Sequence, residues 1–141
     1  MAEGDGAIYN NFKEQLMLGT IDLVDDTIKV GLVTGYSPDI DTHDQWSDVS
    51  GDEESGTGYS AGGETLANAS VTQDDSNNRA VFDGDDVTWT GLNVGTPSHA
   101  IMYDDTPSDN WLIAYWELST ASNGGDYTLQ WNAADGIITL T

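Results

Sequence analysis

The chain has 141 residues, no cysteine, and 25 acidic residues against three basic ones, Lys13, Lys29 and Arg79, for a formal charge of -22. Its length suits one domain with a core of its own, and the lack of thiols excludes disulfides, iron–sulfur clusters, thiolate zinc sites and a thiol nucleophile. So acidic a surface repels phosphate backbones and anionic lipid, which argues against nucleic acid or a membrane as partner.

No stretch approaches the roughly 18 apolar residues of a membrane-spanning helix, and the first residues lack the basic start and apolar run of a leader, so neither is expected. Five Trp, six Tyr and recurrent aliphatic runs indicate a buried core rather than a disordered acidic chain. Self-repulsion at this charge is most easily tolerated in concentrated salt, where the Debye length shrinks to about 3 Å at 1 M. An excess of Asp (19) over Glu (6), with only two Lys, fits a hypersaline habitat. The competing reading is an ordinary acidic surface protein.

In chain order, residues 1–6 are expected to be flexible, and the first element is the amphipathic segment "AIYNNFKEQLML". Ile8, Phe12 and Leu16 recur every four residues, which predicts a helix over 7–19 that Gly19 terminates. Its apolar face either packs on the domain or docks a neighbouring subunit. From Thr27 the period falls to two. "TIKVGLVTG" alternates Ile28, Val30 and Leu32 with Lys29, Gly31 and Val33, a strand with one buried face.

Residues 35–63 show no sustained period, yet Ile40, Trp46, Val49 and Tyr59 lie among their acids. This long acidic loop should therefore form a packed excursion over the β domain. Further strands are predicted at 65–72, 79–83, 86–92, 98–104, 111–118, 126–132 and 136–141, separated by Gly, Pro, Asn and Asp clusters such as "DGDD", "DTPSDN" and "SNGG". Short strands at about ten-residue spacing predict a single, mainly β domain over 1–141. Its β part, residues 27–141, is expected to be an antiparallel β-sandwich or jelly-roll-like barrel with one N-terminal amphipathic helix. The positions read as core are Ile28, Val30, Leu32, Trp89, Ile113, Tyr115, Leu129, Trp131 and Ile138.

Motifs for chemistry are sparse. Asp39, Asp41, Asp44 and Asp48 crowd one loop and form a weak candidate for a hard cation, since Ca²⁺ and Mg²⁺ take several oxygen ligands. The EF-hand spacing is missing, and a solvated loop is the plainer reading. His43 and His99 are 56 residues apart, outside any zinc-binding spacing, and His99 lies in a strand pattern as a structural side chain. No Gly-x-Ser-x-Gly elbow occurs, and "GTGYSAGG" lacks the Lys of a phosphate loop, so its glycines read as turn formers. "NAS" at Asn68 matches a glycosylation sequon. Trp46, Trp89, Trp111, Trp116 and Trp131 could form carbohydrate platforms, although three of them lie in core-like strand patterns. The expectation is a protein that is not an enzyme and needs no cofactor.

Taken together and in order, the helix followed by "DTIKVGLV", then "SGTGYSAGGETL", "FDGDDVTWT" and the closing "QWNAADGIITL" resemble a family of small virion structural proteins of tailed viruses of bacteria and archaea. The resemblance runs from Ala7 to the C-terminus. It implies a non-enzymatic head decoration or minor capsid protein, located in the virion and bound to the major capsid protein and to copies of itself as a homo-oligomer. Acids at positions where relatives carry basic and neutral residues imply a haloarchaeal virus. Ile8, Phe12 and Leu16 are then the expected assembly contact. The alternative is a tail, fibre or turret protein that grips host surface glycans through exposed aromatics.

Overall fold

The computed structural model describes residues 6–141, with strand β1 (Gly6–Ile8), helix α1 (Asn10–Leu18), strand β2 (Ile28–Val33), two 3-10 turns (Trp46–Asp48 and Ser50–Asp52), and strands β3 (Glu64–Thr65), β4 (Ser70–Asp74), β5 (Arg79–Asp83), β6 (Val87–Trp89), β7 (His99–Asp104), β8 (Leu112–Glu117), β9 (Tyr127–Leu129) and β10 (Ile138–Leu140). The protein is mainly β, and its strands pair antiparallel in a five-stranded sheet ordered β1-β8-β7-β2-β3, a three-stranded sheet β10-β5-β4 and a two-stranded sheet β6-β9.

The main core lies between one face of the large sheet and the two smaller sheets, a sandwich-like arrangement. Ile28, Val30 and Leu32 of β2 and Ala100 and Met102 of β7 meet Phe82 of β5, Val87 and Trp89 of β6, and Tyr127 and Leu129 of β9. Of the nine positions read as core, Tyr115 and Ile138 are half-buried and the other seven are buried.

The second face of the large sheet is covered too, which corrects the one-sided reading of β2. Gly31 and Val33 are buried, because residues 35–63 fold back over this face and place Tyr36, Ile40, Trp46 and Val49 on Val33, Ile101, Tyr103 and Leu112. Main-chain bonds pin the excursion: Trp46 N–H to the Asn110 carbonyl (2.9 Å), Leu112 N–H to that of Asp44 (2.9 Å), and Glu54 N–H to that of Leu32 (2.9 Å). The Trp46 indole stacks on Tyr103 with centroids 4.4 Å apart and planes 15° off parallel. Gly31 makes room for it, since a Cβ there would collide with Trp46 Cη2. This strand glycine therefore serves close side-chain approach.

Two further boundaries differ from the sequence reading. The helix expected over 7–19 starts at Asn10, and Gly6–Ile8 instead pair with Trp116, Tyr115 and Ala114 of β8. Sheet pairing satisfies their main-chain groups and outweighs a marginal helical preference. Of the expected flexible stretch 1–6, Gly6 is in β1 and the rest lies outside the described residues. The C-terminal stop is as expected: Gly19 is left-handed (φ 73°), with its N–H on the Leu16 carbonyl and Thr20 N–H on that of Gln15, a Schellman motif. The single strand expected at 65–72 is split, because β3 pairs with β2 while β4 pairs with β5 in another sheet.

Candidate functional site

A groove of about 740 Å³ runs between α1, with the segment after it, and one face of the β10-β5-β4 sheet. Register builds the sheet side. Phe82 pairs with Val71 on one flank and Ile138 on the other, and Ala80 pairs with Leu140. The two-residue period of strands therefore puts all five on one apolar face. Opposite stand Ile8, Phe12, Leu16 and Met17, followed by Ile21, Leu23 and Val24.

Among the described residues, five large apolar side chains are exposed, and four of them, Met17, Val24, Val71 and Leu140, line this groove. Met17 is 89% exposed, and the fifth, Leu18, is its neighbour in the chain. Concentration of apolar exposure in one place, on a surface otherwise rich in acids, makes this groove the candidate site.

The groove is also electrically quiet. Among the described residues its lining holds two charged side chains of opposite sign, Lys13 and Asp22. Elsewhere Lys29 pairs with Asp105 (3.3 Å), and Arg79 bridges Asp74 (2.9 Å) and Asp135 (2.7 Å). Lys13 Nζ donates to Asn10 Oδ1 (3.2 Å), and among the described residues it is the basic side chain without an acid at ion-pair distance.

The expected assembly residues Ile8, Phe12 and Leu16 all line this groove, with a correction to the placement of two of them. Ile8 belongs to β1 rather than to the helix, and it and Leu16 are half-buried on the groove wall. Phe12 is 3% exposed and part of the main core, so it forms the groove floor rather than a free contact.

The acidic loop uses its carboxylates locally. Asp39 Oδ1 accepts from the N–H groups of Asp41 (3.0 Å) and Thr42 (3.2 Å), and the Thr42 side chain first, then these main-chain bonds and His43, hold Asp39 below the usual carboxylate range. Asp48 Oδ2 accepts from Asp44 N–H (3.0 Å) and Gln45 N–H (2.9 Å), and Asp41 accepts from Asn10 Nδ2 (2.6 Å). They cap turns, as Asx side chains do. Among the described residues no three His, Asp or Glu side chains converge as metal ligands, Asp39, Asp41, Asp44 and Asp48 included.

Both histidines meet on Tyr36, a convergence that their sequence separation hides. His43 lies 5.5 Å and His99 5.4 Å from its ring, centroid to centroid. Asp39 N–H donates to His43 Nδ1 (3.3 Å), which makes that nitrogen an acceptor, so Tyr36 O–H donates to it (2.8 Å) and Tyr9 O–H donates to Tyr36 (2.8 Å). Burial raises both phenols, and the bonds tie the loop to the sheet; His99, packed on the Tyr36 ring edge-on, is lowered by burial.

One buried acid stands outside these networks. Asp104, at the end of β7, is fully buried, with Oδ1 accepting from Thr106 N–H (3.0 Å). Burial first, then the neighbouring Asp26 carboxyl, pushes it up to about 7, and its Oδ2 is buried without a hydrogen-bond partner among the described residues.

No family model matches the chain, and no curated protein or solved structure matches it either. The groove residues that sequence reasoning missed are Met17, Val24, Val71, Ala80 and Leu140. For Val71, Ala80 and Leu140 the signal is the alternation in "SVTQD", "RAVFD" and "GIITL", but which faces line up depends on a register no single strand reveals.

Proposed function

We propose that the chain is a non-enzymatic virion structural protein, a head decoration or minor capsid protein of a tailed virus adapted to high salt, held in the particle by apolar contact through the groove. The observation that carries this reading is the groove itself: four exposed aliphatic side chains gathered on a neutral lining in a chain of charge -22. Acidic proteins that must associate need an apolar centre with the acids kept to the rim, and this lining supplies one. The order of segments from Ala7 to the C-terminus, with its resemblance to small virion proteins, supplies the setting.

A glycan-gripping tail or fibre protein needs flat exposed aromatics. Trp89, Trp116 and Trp131 are buried and Trp46 and Trp111 half-buried, which favours docking through aliphatic contact. Particles purified in molar salt from a producing culture test the proposal. The chain should appear in them at a fixed ratio to the major shell protein, and dialysis to low salt should release it before the shell dissociates. Absence of the chain from such particles overturns the reading.

A further inference from the structure

We propose that the groove is filled by a second copy of this chain, packed about a two-fold axis that sets Lys13 of each copy opposite Asp22 of the other. The inference rests on the docking reading above and names its occupant.

The argument is one of charge. Among the described residues, a partner seated here meets a lining with one positive and one negative side chain, Lys13 and Asp22, one hydroxyl, Thr139, and otherwise apolar side chains. A basic partner gains nothing from a neutral lining and would settle on the acidic faces instead. An unrelated acidic partner would have to bring a matched pair of charges of its own. A second copy brings that pair when the axis passes between the two side chains, because an isologous interface apposes each patch with itself, residue i to j and j to i. Among the described residues Lys29 and Arg79 have acids beside them and Lys13 has none, so Lys13 is the cation placed to act across the interface.

Asp22 is suited to the opposite role. Its Oδ1 is engaged by the N–H groups of Val24 and Asp25, both at 3.0 Å, which fixes the carboxylate at the groove rim and lowers its proton affinity. The apolar part is self-complementary in the same sense. Met17 and Leu18 project from the end of α1, while Val71, Ala80 and Leu140 belong to a sheet face that α1 covers only in part. One copy's protruding side chains can occupy the other's opening. The volume also lies within the range of about 300–1,000 Å³ usual for small-ligand clefts, so a bound apolar molecule is the rival outcome.

Sedimentation equilibrium of the purified full chain in about 2 M KCl tests the inference, with Debye screening suppressing the remaining repulsion. The expected result is a reversible monomer–dimer equilibrium. Met17→Asp and Leu140→Asp, both at exposed positions where the fold tolerates a charge, should each weaken it by about tenfold or more with an unchanged circular dichroism spectrum. Lys13→Glu should weaken it too, and by less in the presence of Asp22→Asn, which keeps the acceptor for Val24 and Asp25 while removing the charge. A monomer at every concentration, a dimer indifferent to Met17→Asp and Leu140→Asp, or copurification of an apolar small molecule that holds the chain monomeric overturns the second-copy inference. Should the chain be monomeric while Met17→Asp still prevents incorporation into particles, the docking reading stands and the two-fold pairing falls.

Discussion

Replacing Gly31 by Ala adds one methyl group to the centre of β2, and its effect should depend on a side chain fifteen positions away. Gly31 lies in an ordinary extended strand, so an alanine there suffers no backbone strain; in isolation the change should stabilise by about 0.5–1 kcal/mol, the usual disadvantage of strand glycine. The new Cβ, however, meets the Trp46 indole, with Cζ3 and Cζ2 at 3.1 and 3.2 Å and Cη2 closer still. The ring cannot swing away cheaply, because it is stacked on Tyr103 at 4.4 Å and its main chain is tied to Asn110. Overpacking of this kind costs about 1–3 kcal/mol, so Gly31→Ala should destabilise the protein by about 1–2 kcal/mol net. Trp46→Ala alone should cost about 2–4 kcal/mol, at or below the range for an enclosed Trp because this one is only half-buried. In the Trp46→Ala background the clash is gone, and Gly31→Ala should become neutral or stabilising by about 0.5 kcal/mol. Urea unfolding of the four proteins in molar KCl measures the cycle, with a coupling of about 2 kcal/mol expected. An equal cost for Gly31→Ala in both backgrounds would refute the claim that the acidic loop is packed on the sheet through Trp46.

Other expectations follow from the same contacts. Thermal melts between about 0.1 M and 2 M KCl should show a rising midpoint, because screening removes self-repulsion and salt strengthens apolar burial; a flat or falling midpoint contradicts the halophilic reading. With Asp104 raised from 3.8 to about 7, the unfolded chain releases this proton at lower pH than the folded chain does. Stability should therefore fall as pH rises through that window, by on the order of 4 kcal/mol if the whole shift is expressed, and Asp104→Asn should remove this contribution; His99, lowered by burial, acts with the opposite sign below its ordinary 6.5 and is common to both proteins. Trp131→Ala should cost about 3–5 kcal/mol, since the indole is 8% exposed, lies 4.9 Å from Trp116 and donates Nε1–H to the Asp85 carbonyl; a loss below about 1 kcal/mol in urea would show its packing to be loose. Phe12→Asp should unfold the chain rather than only block assembly, because a carboxylate would be buried in the core, and a native circular dichroism spectrum would contradict that placement.

The strands were legible because each carries its signal locally. "IKVGLV" and "HAIMYD" are apolar runs of strand length with turn residues at their ends, and both became central strands of the large sheet. The long excursion was legible as packed, since Trp46 and Tyr59 would not be left in water among acids, but the surface it covers was not. That surface depends on Gly31, whose missing side chain says nothing until Trp46 is seen against it. The start of α1 was misread because "AIYNNF" fits a helical period, whereas Ala7 and Ile8 answer to β8, more than a hundred residues away. The groove was half-legible. Ile8, Phe12 and Leu16 gave its near wall, and the far wall needed the pairing of Phe82 with both Val71 and Ile138, a long-range register without a local trace.

Methionine oxidation tests most directly whether this groove is where the protein assembles. Met17 is 89% exposed on the groove and Met102 is fully buried in the core, so dilute peroxide should oxidise the first quickly in the free chain diluted to its monomer and spare the second, an internal control for folding. In intact particles, read by peptide mass spectrometry, Met17 should become protected while Met102 stays reduced. Met17 oxidising as fast in the particle as in the free chain would contradict assembly through the groove.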